Sequence, residues 1–182
     1  MLIFFIFSIF KGVKDNDTNV AILSPTFSAL SGKSGILCSY QAMKKAGNSG
    51  KVIVVEYSKE NAKRIKEMNL AHEVIVADAT KPVEVYKKVL EKTGGKYCDI
   101  TINNVNVPDT EMSSILITKD EGIVYFFSMA TSFTKAALGA EGVGKDITMI
   151  IGNGYTKGHA DLTLQILRES EEIRELFEKL YI

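Results

Sequence analysis

Six short apolar runs punctuate the chain: Val20–Leu23, Val52–Tyr57, Glu73–Val76, Asp99–Asn103, Gly122–Phe127 and Ile147–Ile151. Most are unbroken Val/Ile stretches with no polar alternation, which suits strands buried on both faces of a parallel sheet. The segments between them repeat at helical spacing. Ile36, Leu37, Tyr40 and Met43 share one face, Lys44 and Lys45 sit outside it, and Gly47 and Gly50 end the pattern. Ala62, Ile65 and Met68 form a second stripe. A third opens with Pro82 in its first turn, carries Val85, Tyr86, Val89 and Leu90, and stops at Gly94-Gly95. Strand, helix and strand joined by short loops imply right-handed crossovers. The expected fold is α/β: a Rossmann-type doubly wound, mainly parallel sheet of about six strands with helices on both faces.

The expected division is a domain over 19–182 preceded by an apolar segment and linker over 1–18. Leu2 to Phe10 is apolar except for Ser8. It falls short of the ~20 residues that span a bilayer, and it lacks a basic leader and a small-residue cleavage site. This run is expected to seek a neighbouring domain or subunit, or to mark a truncated or mis-started chain, since an exposed apolar stretch is an aggregation hazard. At the other end, Gly158 to Ser170 reads as one helix. Ile173, Leu176, Phe177 and Leu180 form the stripe of a second, whose charged side faces solvent.

The 22 basic and 22 acidic side chains cancel, and no basic stripe stands out, so nucleic acid is not an expected partner. Membrane association is not expected either. Cys38 and Cys98 are far apart and have no Cys or His at ligand spacing. They read as small buried groups in a reducing cytoplasm, with no metal site.

The chemistry concentrates at the strand ends. Ser31-Gly32-Lys33-Ser34-Gly35 lies between the first apolar run and the first helical stripe, and Glu56 closes the second run, twenty-one residues after Gly35. Strand, glycine turn, helix, then a strand ending in an acid is the arrangement that holds a dinucleotide. Backbone N–H groups at the helix start face the pyrophosphate, and the acid accepts from the adenosine ribose hydroxyls. A carboxylate there repels a 2′-phosphate, so NAD is the expected cofactor, although Lys59 stands close by in sequence. The competing reading of Glu56 is an ordinary acid at a strand end. Matched to G-x-G-x-x-G, the chain has Leu30, Gly32 and Gly35, so the first glycine is missing. A P-loop fits less well, because Phe27 stands where its first glycine belongs. Further candidates follow the later strands: Tyr57, Asp78 and Ala79 near the adenine, Asn103 and Asn104 near the nicotinamide ribose, then Ser128, Gly152 and Asn153. The asparagines read equally as turn residues. No group is assigned a catalytic role.

The run Ser31-Gly32-Lys33-Ser34-Gly35-Ile36-Leu37-Cys38 resembles the L-erythro-3,5-diaminohexanoate dehydrogenase family, a family similar in fold to the medium-chain dehydrogenases. So, more specifically, does Gly152-Asn153-Gly154-Tyr155-Thr156-Lys157-Gly158-His159-Ala160-Asp161. The resemblance runs from about Asn19 to Tyr181. It implies NAD-dependent oxidative deamination of a small amino-acid substrate, 3,5-diaminohexanoate, to 5-amino-3-oxohexanoate with release of ammonia, as part of lysine fermentation. It also implies a homodimer paired through the sixth strand. The family's substrate domain has no counterpart in this sequence, so the resemblance is to its cofactor half. Two other classes compete: an S-adenosylmethionine-dependent methyltransferase, which also places acids after its second and third strands, and a non-catalytic nucleotide-binding or assembly module.

Overall fold

The computed structural model describes residues 18–24, 32–152 and 158–181. The expectations made for Leu2–Phe10 and the linker after it lie outside those residues. Within them the chain runs β1 (Val20–Leu23), α1 (Gly32–Lys45), β2 (Val52–Glu56), α2 (Lys59–Glu67), β3 (Glu73–Val76), α3 (Pro82–Thr93) and β4 (Cys98–Asn103). It continues through α4 (Glu111–Ile117), β5 (Thr118–Phe126), α5 (Phe133–Gly142), β6 (Ile147–Ile151), α6 (His159–Glu169) and α7 (Glu171–Tyr181). The six strands form one sheet in the order β3-β2-β1-β4-β5-β6, and every pairing is parallel. This is the doubly wound Rossmann order, with its topological switch between β1 and β4.

Strand parity decides which helix covers which face. Val20, Ile22, Val52, Val54, Ile100, Ile102 and Tyr125 point to one side, where they meet Ile36 of α1, Ala62 and Ile65 of α2, and Leu162, Ile166 and Ile173 of α6 and α7. The alternate residues, Ala21, Leu23, Ile53, Val55 and Ile75, meet Val85 and Val89 of α3 and Ile117 of α4. Val124 and Phe126 pack on Ile115 of α4 and on Ala136 and Ala140 of α5. Strands covered on both faces have no polar side to display, which is why these runs do not alternate. Each fully buried Val or Ile contributes roughly 1.5–3 kcal/mol relative to exposure.

Local signals set the element ends. Ser58 caps α2, its Oγ accepting from the Asn61 N–H at 3.3 Å. Pro82 opens α3, and Gly94, at φ 67°, closes it in the left-handed conformation. His72 is exposed and exchanges two bonds with Val52: its backbone N–H donates to the carbonyl, and its Nδ1 accepts from the Val52 N–H, both at 2.9 Å.

Several strand limits differ from expectation: β2 ends at Glu56, β4 begins at Cys98 and β5 ends at Phe126. Strand β5 begins at Thr118 rather than Gly122, because Thr118 pairs with Cys98 before the register shifts. Helices α4 and α5 carry no large apolar stripe. Helix α4 buries Glu111, Ser113 and Ser114 beside its isoleucines, and α5 packs through alanines.

Candidate functional site

The parallel register brings the ends of all six strands to one edge. Leu23 lies beside Val55 and Asn103, Glu56 beside Val76, Asn103 beside Phe126, and Phe126 beside Ile151. Backbone bonds extend the ladder into the loops: Ser24 N–H to Val55 O at 3.1 Å, Ala77 N–H to Glu56 O at 3.1 Å, Asn104 N–H to Leu23 O at 2.8 Å, and Phe127 N–H to Asn103 O at 2.8 Å. The sequence candidates that fall within the described residues therefore share this edge, where open α/β sheets bind ligands. Ser31 and Asn153 lie outside the described residues.

Helix α1 starts at Gly32 and has no acidic residue in its first turn, while Lys44 and Lys45 sit in its last. Within the helix itself, no acidic side chain offsets the positive end of the dipole, and the lysines complement the far end. Lys33 and Ser34 are half-buried there and Gly35 is buried. First-turn N–H groups have no acceptor inside their own helix, which suits this end to an anion.

Glu56 is only 2% exposed. Its Oε1 accepts from the Ser58 N–H at 3.0 Å, which ties the carboxylate to the α2 cap. Tyr57 beside it is 75% exposed and so is available as a flat cover for a ring. Asp78 is spent on its own turn: Oδ1 accepts from the Thr80 N–H at 2.9 Å and from its hydroxyl at 2.7 Å. The first of these bonds is the main reason its carboxyl is held below the usual range. Ala79 offers its carbonyl to Ser113 Oγ at 2.6 Å.

The two asparagines at the end of β4 go to opposite faces of the sheet, since consecutive strand residues do. The Asn103 amide nitrogen donates to Thr110 Oγ1 and Ser114 Oγ, both at 3.0 Å, and its oxygen accepts from the Val105 N–H at 2.9 Å. Its side chain is thus engaged with α4 and the loop before it. Asn104 turns to the α1 side, where its Nδ2 lies 3.9 Å from Cys38 Sγ. Among the described residues, Ser24 Oγ, Ser39 Oγ and Asn104 Oδ1 are buried without a hydrogen-bond partner. Such an atom costs ~1–3 kcal/mol. Ser24 and Asn104 are the first residues beyond adjacent strands at the switch point, so these orphaned atoms fit a site whose polar ligand completes them.

Burial pushes the Cys38 thiol up, and raises Cys98 to about 12 and Tyr125 to about 12, leaving all three protonated at neutral pH. Tyr125 OH donates to Gly152 O at 3.1 Å and so braces the end of β6. Ser128 Oγ accepts from the Ala130 N–H at 3.1 Å. Among the described residues no group of three His, Cys, Asp or Glu side chains could hold a metal ion, and no helix is long and apolar enough to cross a membrane.

Sequence reading did not find Thr110, just before α4, or the helix's own polar residues Glu111, Ser113 and Ser114. Their only mark in the sequence is that they interrupt an apolar segment.

Strand order and the all-parallel pairing of the described sheet define a Rossmann-type domain. No protein-family model matches the chain. Over most of its length, however, it is a close match to the L-erythro-3,5-diaminohexanoate dehydrogenase family. It is 58% identical over 151 residues to L-erythro-3,5-diaminohexanoate dehydrogenase of Acetoanaerobium sticklandii, and 57% identical over 152 residues to that of Fusobacterium nucleatum. Each match covers 83% of this chain and 44% of the relative, so the chain spans under half the length of the relatives it resembles. Among solved structures, mycobacterial Rv1454c complexed with NADPH shares the fold, with a TM-score of 0.58 at 16% identity over 97% of this chain and 50% of that one.

Proposed function

We propose that this chain is the NAD-binding half of an NAD-dependent amine dehydrogenase that oxidatively deaminates L-erythro-3,5-diaminohexanoate to 5-amino-3-oxohexanoate. The observation that carries the reading is the 58% identity to a dehydrogenase of that name. The choice of NAD rests on Glu56, buried at the end of β2 where a dinucleotide's adenosine ribose lies.

The residues divide the work. The first turn of α1 takes the pyrophosphate, Glu56 the ribose hydroxyls, and Tyr57 with Ala79 flanks the adenine. Asn104, Ser128 and Gly152 line the nicotinamide end, with Asn103 holding α4 and the loop before it in place beside them. Bound NAD supplies the hydride acceptor. The protein's task is to orient it toward the amine-bearing carbon while leaving that carbon open to the one water that hydrolyses the oxidised amine to ketone and ammonia. A homodimer completes the reading.

Fluorescence titration with NADH and NADPH is the test, followed by NADH production from NAD and the diamine. Tighter binding of NADPH would overturn the cofactor assignment. A second reading is a nucleotide-binding module without turnover. NADH binding with no turnover of the diamine selects it. The methyltransferase alternative draws no support from a sheet whose described strands are all parallel.

A further inference from the structure

Helix α4 has seven residues, yet most of its first turn is polar and buried. Those side chains reach three different loops at the sheet's carboxyl edge. Ser113 Oγ donates to Ala79 O after β3, at 2.6 Å. Thr110 Oγ1 and Ser114 Oγ accept from Asn103 at the end of β4. Glu111 Oε1 accepts from the Ser132 N–H, in the loop after β5, at 2.6 Å. Ser132 in turn caps α5, its Oγ accepting from the Lys135 N–H at 3.3 Å.

The loop after β4 and the loop after β5 are joined at three points. Ser128 Oγ and Asn106 Oδ1 are 3.4 Å apart, and Lys135 pairs with Asp109, but these groups are exposed. Exposed pairs of this kind are screened and contribute little. Glu111 is 2% exposed, so its bond works in a low dielectric, where a charged acceptor holds an N–H most firmly and a lost partner is most costly.

We propose that Glu111 is a positioning residue for the cofactor site: by holding the Ser132 N–H it fixes the 128–132 loop against α4, and so sets where Ser128 stands at the carboxyl edge. The proposal rests on the reading of that edge as an NADH site.

The test uses the full chain and three variants. Glu111→Gln keeps an amide oxygen at the same reach. Glu111→Asp keeps the charge but withdraws it by one methylene. Glu111→Ala removes both and serves where it folds. Two quantities are measured, NADH affinity by fluorescence and amide exchange of the peptide spanning 128–133. Glu111→Gln, which keeps the acceptor and loses only its charge, should fall between the parent and Glu111→Asp in both. Glu111→Asp should lose protection in that peptide alone and bind NADH roughly tenfold more weakly, the order of loss seen when a supporting shell is removed. Wild-type affinity in Glu111→Asp, or unchanged exchange at 128–133, would overturn the positioning role while leaving the proposed function standing. Failure of the parent chain to bind NADH would overturn both.

Discussion

At the scale of single residues, the sequence marks Glu56 by its place alone, as an acid closing a Val/Ile strand, and its burial comes from the structure. The structure adds that Ser58 N–H already holds one of its oxygens. Glu56→Ala should therefore weaken NADH binding by roughly 1–3 kcal/mol, the worth of hydrogen bonds to a charged group, and narrow the preference over NADPH. Titration of both cofactors against the variant measures this, and an unchanged ratio would remove Glu56 from the ribose role. The asparagines were less legible. A strand end tells which edge a side chain reaches, but parity across the last paired residue sends Asn103 and Asn104 to different faces, and parity needs the register. Asp78 shows a further limit, since the carboxylate expected beside the adenine closes its own turn through Thr80. Its carboxyl, like that of Glu169 beside Lys44, is held below the ordinary range in the folded state. Both favour folding when ionised. Their contribution is thus complete above the unfolded carboxylate pKa of about 4 and is lost as pH falls through the lower folded values. Glu169 is exposed and Asp78 half-buried at the surface, so screening keeps each below about 1 kcal/mol. Asp78→Asn should flatten the acid side of the stability curve slightly in urea titrations between pH 3 and about 5. A steeper curve would contradict the sign.

At the scale of elements, the strands announced themselves because burial on both faces forces continuous β-branched runs. The first three helices did so because each must bury a stripe of large apolar residues. Helices α4 and α5 lack that stripe, since one is a polar brace and the other a close-packed small-residue helix, so periodicity had little to register. Gly50 shows how tightly the opposite edge is drawn. A Cβ there would meet the carbonyl of Ala46 and lie 2.5 Å from the oxygen and 2.8 Å from the nitrogen of Thr18. All three are backbone atoms and cannot rotate away. Gly50→Ala should destabilise the chain by roughly 1–3 kcal/mol, the usual cost of overpacking, with the shift read from the urea midpoint. A neutral substitution would mean that the turn between α1 and β2 yields more easily than its contacts imply.

At the scale of the molecule, the two outer strands of the described sheet are finished differently. The β3 edge is guarded: Lys88 Nζ donates to Val76 O at 2.8 Å, and Lys92 lies 3.6 Å from Glu73. Charges of this kind deter a second sheet from pairing. The other edge, β6, reads Ile147-Thr148-Met149-Ile150-Ile151 and has no charged residue. An apolar edge without charges is normally paired or covered, and pairing about a two-fold axis closes the assembly instead of propagating it. The proposed homodimer therefore belongs at β6. Light scattering at micromolar concentration should then give about twice the 20.0 kDa chain mass. The variant that separates this from general stickiness is Thr148→Lys. Thr148 is exposed, whereas Met149 beside it packs against the α5 side of the core, so a charge at Met149 would test folding instead. In a symmetric strand pair the introduced lysines approach each other across the axis, and like charges facing across paired strands repel. Thr148→Lys should therefore yield a folded species of single mass that still binds NADH, because the cofactor edge lies at the strand ends rather than along the strand. A Thr148→Lys dimer as tight as the parent would move the interface away from β6.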